Sequence, residues 1–319
     1  MLNIFLLIAG FLLLIYGANF LVDGASSLAK KLNVPSIVIG LTIVAFGTSS
    51  PELVVNLFAS AKHNSDLVLG NVIGSNIFNV LAILGITAVL YPIGVKTHTT
   101  WIEIPLSLLA GLVVLVAASD TWLDSNSGNS ISRVEGILCL FFFLIFLVYN
   151  NQMMKSGHFE EDIPVKHMSK LRSVFFIILG FGMLIAGGKF IVDSAVALAR
   201  LIGITERVIS LTIVSIGTSL PELATSVAAA RKKNVDIAIG NIVGSNIFNI
   251  FLILGLSAII NPISVLPDSI IDMGVNLLAG LLLFLFIFTG KGRKIDRWEG
   301  VIFLFTYLMY LLFILFIKV

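Results

Sequence analysis

Apolar residues run through the chain in long stretches, and polar residues gather in short connections between them. A run of about 20 apolar residues is long enough to cross a bilayer as a helix. Ten such segments are legible, at roughly 2–22, 35–59, 67–90, 102–119, 134–151, 173–195, 207–230, 237–260, 269–289 and 298–317. The first opens MLNIFLLIAGF with no basic stretch ahead of it, so it reads as a retained helix and not a cleaved signal. The least apolar connection, NNQMMKSGHFEEDIPVKHMSKLR, divides the pattern. Residues 1–151 form a first five-helix unit, 152–172 a linker and 173–319 a second five-helix unit. The Glu160-Glu161-Asp162 run in the linker reads as a solvated acidic patch, and the linker is too short to fold as a domain.

Composition fixes the solvent. The chain is 58% hydrophobic and 12% charged, against about 25% charged in a soluble domain. The expected fold is therefore an all-α polytopic membrane protein. A soluble enzyme and a disulfide-stapled secreted domain are excluded. A net charge of +2 supplies no phosphate-binding patch, so nucleic acid is no partner. The single cysteine, Cys139, cannot pair within the chain and reads as a small buried hydrophobe.

The two units repeat one another. Residues 38–92 align without a gap on 208–262, with VIGLTIVAFGTSSPEL facing VISLTIVSIGTSLPEL and GNVIGSNIFN facing GNIVGSNIFN. Arg133-Val134-Glu135-Gly136 matches Arg297-Trp298-Glu299-Gly300, and Asp23 matches Asp193. Five helices is an odd number, so the second repeat should enter the membrane from the opposite face. Inverted repeats of this kind surround a site near the bilayer midplane, built from discontinuous helices. Basic residues crowd the connections on one side, including Lys30, Lys31, Lys96, Lys166, Lys232, Lys233 and Arg293. That side is expected to be cytoplasmic, with the linker inside and both termini outside.

Two carboxylates lie deep in apolar segments: Glu52 and Glu222. A charge at the bilayer centre costs roughly 2.5–3.5 kcal/mol on insertion scales and marks a functional position by default. No Lys or Arg lies in the middle of the neighbouring spans to pair with them, so a bound cation is expected. Lys189 and Asp193, one helical turn apart, are expected to satisfy each other. The stretches Gly47-Thr48-Ser49-Ser50-Pro51-Glu52 and Gly217-Thr218-Ser219-Leu220-Pro221-Glu222 are poor continuous helices, because a proline removes a donor. Freed carbonyls, hydroxyls and a carboxylate make a hard-oxygen cluster, suited to Ca²⁺ or Na⁺. Thr48 and Glu52 are expected on one helix face, as are Thr218 and Glu222. The next span of each repeat adds Ser75 and Asn79, and Ser245 and Asn249, again four residues apart. Gly70, Gly74, Gly240 and Gly244 read as small faces for close helix packing.

These doubled motifs resemble the two α-repeats of the calcium/cation antiporter superfamily, in particular its prokaryotic sodium/calcium exchanger branch. The resemblance spans essentially the whole chain and implies Na⁺/Ca²⁺ antiport by alternating access in a prokaryotic plasma membrane. It implies Glu52 and Glu222 as central ligands, and Thr48, Ser49, Thr218, Ser219, Ser75 and Ser245 as oxygen donors. The carbonyls of Ala45 and Ser215 would flank the site, and Asn79 and Asn249 would close it. It implies no cofactor beyond the transported ions, and nothing in it calls for an obligatory protein partner. It also assigns motion to the first and sixth helices, here about 2–22 and 173–195, with Gly17, Gly187 and Gly188 permitting sliding. Some relatives carry an acid where Asn79 or Asn249 stands; the two formal charges here match one Ca²⁺ or two Na⁺, and coupling of three Na⁺ to one Ca²⁺ stays open but would leave the site positive.

Three other functions compete with this reading. A Ca²⁺/H⁺ antiporter would use the same glutamates for protons, since burial raises carboxylate pKa values; the GTS-x-PE context resembles the sodium branch more. A cation channel is disfavoured by broken-helix repeats. An intramembrane hydrolase lacks its constellation: His63, His98, His158 and His167 all fall in connections and no H-E-x-x-H occurs.

Overall fold

The computed structural model describes residues 2–123, 128–156, 166–201, 215–289 and 292–317. The N-terminal half of the chain contains α1 (Leu2–Leu32), α2 (Ser36–Thr48), α3 (Ser50–Ala61), α4 (Ser65–Leu90), α5 (Thr99–Ala117) and α6 (Arg133–Ser156). The C-terminal half contains α7 (Lys170–Leu201), α8 (Ser215–Thr218), α9 (Leu220–Arg231), α10 (Val235–Ile260), α11 (Pro267–Phe286) and α12 (Arg297–Ile317). Among the described residues eight helices are long and apolar enough to cross a membrane, nine if the bent pair α2–α3 counts as one span. The seventh segment expected from the sequence begins in residues 202–214, outside the described residues; its remainder is α8 and α9. The Glu160-Glu161-Asp162 run and His158 likewise lie outside them.

The repeat is visible in local detail. The turn at Lys62-His63-Asn64 and the turn at Lys232-Lys233-Asn234 use the same solution: His63 and Lys233 take a left-handed φ of 55° and 60°. Asn64 and Asn234 then cap the next helix, accepting from Leu67 N and Ile237 N. Both α4 and α10 pass into π geometry at equivalent places, Phe78–Leu84 and Phe248–Leu254. These two helices are the most buried and form the centre of the molecule.

α6 packs on α10, and α12 packs on α4. Gly136 of α6 lies against Gly255 of α10, where a Cβ would stand 2.7 Å from the Gly255 carbonyl. Gly300 of α12 repeats this on Gly85 of α4, at 2.8 Å. Glu135 and Glu299 cap these helices by accepting from Ser132 N and Asp296 N. The matched R-x-E-G strings thus supply a cap and a close crossing. Cys139 is free and buried beside Gly255.

Short strands join the connections in two sets. Ile93–Gly94 pairs antiparallel with Lys294–Ile295, and Ser130–Ile131 with Ile263–Ser264. Around the first set, Arg293 donates to Thr97 and Lys96 pairs with Asp236 at 2.6 Å. Around the second, His63 Nδ1 lies 2.8 Å from Asn261 Oδ1, and Ser264 N donates to Ser65.

α1 and α7 lie along each other through glycines. A Cβ on Gly17 would meet Gly180 O at 3.0 Å, and one on Gly10 would meet Gly187 O at 2.9 Å. Gly17 and Gly187 therefore hold the two helices together and are not a surface on which they slide over the rest. Gly188 instead faces Gly217 and Pro221 at the break between α8 and α9. The expected Lys189–Asp193 pair is also absent: both side chains are exposed and no ion pair joins them. An exposed pair of this type gains about 0.3–0.5 kcal/mol, too little to hold a long side chain in place. Asp23, the repeat mate of Asp193, is instead clamped by Lys166 and Lys232, each at 2.8 Å.

Candidate cation site

Chain direction breaks between Thr48 and Ser50, where α2 and α3 meet at 48°. Pro51 falls in the first turn of α3, where a helix has no partner for that N–H in any case. The proline thus starts a new helix and does not distort a continuous one. Pro221 occupies the same place in α9. Because the bend lies between them, Thr48 and Glu52 do not share one continuous face. Thr48 Oγ1 donates to Asn241 Oδ1 at 2.9 Å, while the Glu52 carboxylate meets Ser219.

Glu52 and Glu222 are each 1% exposed. The hydrogen bonds to them cross between repeats: Ser49 Oγ donates to Glu222 Oε1 at 3.0 Å, and Ser219 Oγ to Glu52 Oε1 at 3.1 Å. Ser219 Oγ also lies 3.1 Å from Ser75 Oγ, which brings α4 to the same point. No ion pair reaches either glutamate among the described residues. Both Oε2 atoms are buried without a hydrogen-bond donor, as are Asn79 Oδ1, Asn249 Oδ1 and Ser245 Oγ. Buried acceptors are ordinarily satisfied. Oxygen-only acceptors around two carboxylates fit a hard cation such as Ca²⁺ or Na⁺. Among the described residues no group of three His, Cys, Asp or Glu is present, so the remaining donors are neutral oxygens.

The other expected positions divide. Asn79 and Asn249 lie in the first turn of the π stretches of α4 and α10, and Ser245 is fully buried on α10. The Ala45 carbonyl accepts from Ser49 N at 2.9 Å and lies 3.3 Å from Thr48 Oγ1, so it is already engaged within the turn. Ser215 begins α8. Thr218 Oγ1 donates to Asn71 Oδ1 at 3.4 Å. Gly240 and Gly244 take the packing role expected of them: a Cβ on Gly244 would stand 2.8 Å from the Leu41 carbonyl. For Gly70 and Gly74 the equivalent partner stretch, 208–214, lies outside the described residues.

A second ring of amides escapes the sequence reading. Asn241 accepts from Thr48 and donates to the Glu222 carbonyl at 3.3 Å and to Ser226 Oγ at 3.0 Å. Asn56 Nδ2 donates to the Glu52 carbonyl at 2.8 Å. Asn76 and Asn246 contact Asn249 and Asn79. All but Asn56 belong to the doubled GN-x-x-GSN string, and their duplication was the available signal. Other carboxylates also lie within the apolar segments, among them Glu103, which accepts from Tyr149 OH, and Asp272, which accepts from Tyr310 OH at 3.0 Å. Glu52 and Glu222 are therefore not the only acids in the apolar segments; they differ from Glu103 and Asp272 in having no phenol donor, and they face each other's repeat through Ser219 and Ser49.

A family model described as sodium/calcium exchanger protein matches residues 2–151 and 172–316. The sodium/calcium exchanger MaX1 of Methanosarcina acetivorans is 34% identical over 347 residues, covering 99% of both chains. The inner membrane protein YrbG of Escherichia coli is 39% identical over 266 residues, covering 81% of this chain and 79% of its own. A structure of the sodium-calcium exchanger NCX_Mj, soaked with Na⁺ and Ca²⁺, superposes with a TM-score of 0.83 at 32% identity, covering 98% of each chain.

Proposed function

The chain belongs to the sodium/calcium exchanger family, and from that premise we propose that the crossed Glu52–Glu222 cluster is its transport site. The protein is a secondary active antiporter of the membrane, exchanging Ca²⁺ for Na⁺ by alternating access. It is a transporter and not an enzyme. The observation that carries the site is the pair of carboxylates, each 1% exposed, with no basic partner among the described residues and one donor-free oxygen apiece. Thr48, Ser49, Ser75 and Asn79 would ligate with Glu52 from one repeat, and Thr218, Ser219, Ser245 and Asn249 with Glu222 from the other. The Ser215 carbonyl would flank the site, and the Ala45 carbonyl would do so only by turning from the Thr48 hydroxyl that lies 3.3 Å away.

Two formal charges set the occupancy. One Ca²⁺ or two Na⁺ neutralises the site, so the two cargoes compete for the same oxygens, and entry of one displaces the other. We further assign ten spans in two inverted repeats, 1–151 and 173–319, joined by a cytoplasmic linker at 152–172. The separation of the paired connections into two sets supports this. So does the ion pairing of Lys96 with Asp236, just past the Lys232-Lys233 turn, while Arg293 donates to Thr97 beside the first strand pair. Both termini then face outward. The test is ⁴⁵Ca²⁺ uptake into proteoliposomes driven by an outward Na⁺ gradient, with a proton gradient as the alternative drive. Uptake should follow Na⁺. Equal uptake under the proton gradient would move the assignment to Ca²⁺/H⁺ exchange.

A further inference from the structure

We propose that Asn76 and Asn246 are positioning residues: they orient the Asn249 and Asn79 amides so that their oxygens face the cation, and thereby set the balance between Ca²⁺ and Na⁺. The inference rests on Asn79 and Asn249 being ligands. Asn79 Nδ2 donates to Asn246 Oδ1 at 3.0 Å, and Asn249 Nδ2 donates to Asn76 Oδ1 at 2.9 Å. Each bond runs from the central helix of one repeat to that of the other. Asn76 Nδ2 in turn donates to the Asn246 carbonyl at 3.2 Å, which ties the two bonds together.

A primary amide is planar, with its nitrogen and oxygen on opposite sides of the carboxamide carbon. Once the nitrogen is held by an acceptor across the repeat boundary, the oxygen is directed away from that acceptor. Asn79 Oδ1 and Asn249 Oδ1 are the atoms so directed, and both are buried without a donor. With the acceptor removed, the Asn79 amide is free to turn over and present its NH₂ group, which repels a cation. Ca²⁺ takes 6–8 oxygens and carries twice the charge of Na⁺, so it loses more from a misdirected amide. The far side of the pair is not solely apolar packing, although Val80, Leu108 and Leu277 contribute to it. A cavity of about 10 Å³, room for about one water, lies against Asn76 and Asn246 and is lined also by Ser107 and Asn276. Truncation at Asn246 can be rehydrated there, so a loss of function need not mean a loss of fold.

The experiment is a double-mutant cycle on Na⁺-driven ⁴⁵Ca²⁺ uptake by the full chain in proteoliposomes, reading KM for Ca²⁺ and half-saturation by Na⁺ separately. Asn246→Ala should raise the Ca²⁺ KM about five-fold, the worth of one neutral hydrogen bond, and raise the Na⁺ value less. Asn246→Ala combined with Asn79→Ala should be no worse than Asn79→Ala alone, because Asn246 acts through Asn79. Combined with Asn249→Ala it should be additive. Asn246→Asp retains an acceptor at the same place and should keep the Ca²⁺ KM at or below that of the parent. Additivity of Asn246→Ala with Asn79→Ala, a fall in kcat with KM unchanged, or an Asp variant as impaired as the Ala variant overturns the inference. A parental KM in Asn79→Ala overturns the ligand reading itself. If Asn246→Ala fails to fold, Asn76→Ala with Asn249→Ala runs the same cycle from the other repeat.

Discussion

Glu52 and Glu222 each receive a serine hydroxyl from the other half of the chain, so the proposed site draws on both halves. Replacing either glutamate by glutamine keeps shape and removes one of two charges. Breaking a buried pair with a fixed base would destabilise, but here no base is left behind among the described residues. Glu52→Gln and Glu222→Gln should each abolish Na⁺-driven Ca²⁺ uptake while leaving the unfolding temperature of the ion-free protein unchanged or higher; a near-parental flux in either would remove that carboxylate from the site. The amides make a second expectation at this scale. Asn79 and Asn249 are neutral, so they add no charge to balance a further monovalent ion. Uptake should proceed equally when K⁺ is replaced by choline, and uptake that stops without K⁺ would contradict that charge count.

Among the elements, the association of α1 with α7 depends on backbone approach. A Cβ on Gly180 would lie 2.7 Å from Leu21 N and 2.8 Å from Gly17 O, both backbone atoms that cannot turn aside. Gly182, two residues on, has nothing within 4 Å. Gly180→Ala should force the two helices apart at a cost of about 1–3 kcal/mol. Gly182→Ala should be neutral or stabilising by up to about 1 kcal/mol through helix propensity. Thermal unfolding of the two variants in detergent checks this, and equal behaviour would show that the helices are not in backbone contact. The same helix touches the site: a Cβ on Gly47 would coincide with the Phe181 ring, at 1.9 Å. Gly217 is covered likewise by Val192, at 2.1 Å. Side chains of α7 therefore rest on the glycine that opens each G-T-S turn, and movement of α7 would be felt at Ser49 and Ser219.

For the whole molecule, the turns at His63 and Lys233 give a direct test of inverted topology. They occupy equivalent positions in the repeats, with the same backbone and the same asparagine cap. Parallel repeats would put both on one side of the membrane, and inverted repeats put them on opposite sides. On a Cys139→Ala background, a membrane-impermeant thiol reagent applied to intact cells should label His63→Cys and spare Lys233→Cys. Labelling of both, or of Lys233→Cys alone, would reverse the orientation or the repeat relation. Both turns are exposed, so the readout does not depend on opening of the fold.

Much of this was determined by the sequence alone. The apolar runs demand a bilayer, because so few charged residues cannot cover a water-soluble surface. The gap-free repeat identifies which polar residues come in pairs, and a doubled buried glutamate without a base calls for a cation. Periodicity in a single segment carries no information about the partner in another, and there the tertiary structure decided. It separated Thr48 from Glu52 by a 48° bend, because a proline in a helix's first turn begins a helix instead of continuing one. It assigned Gly17 and Gly187 to the α1–α7 contact, since a glycine's role depends on which backbone approaches it. It also turned four asparagines of the GN-x-x-GSN strings, Asn71, Asn76, Asn241 and Asn246, from unremarked polar residues into the hydrogen-bonded frame around the site. An amide's role is set by what lies across from it, and in this protein that is the other repeat, about 170 residues away.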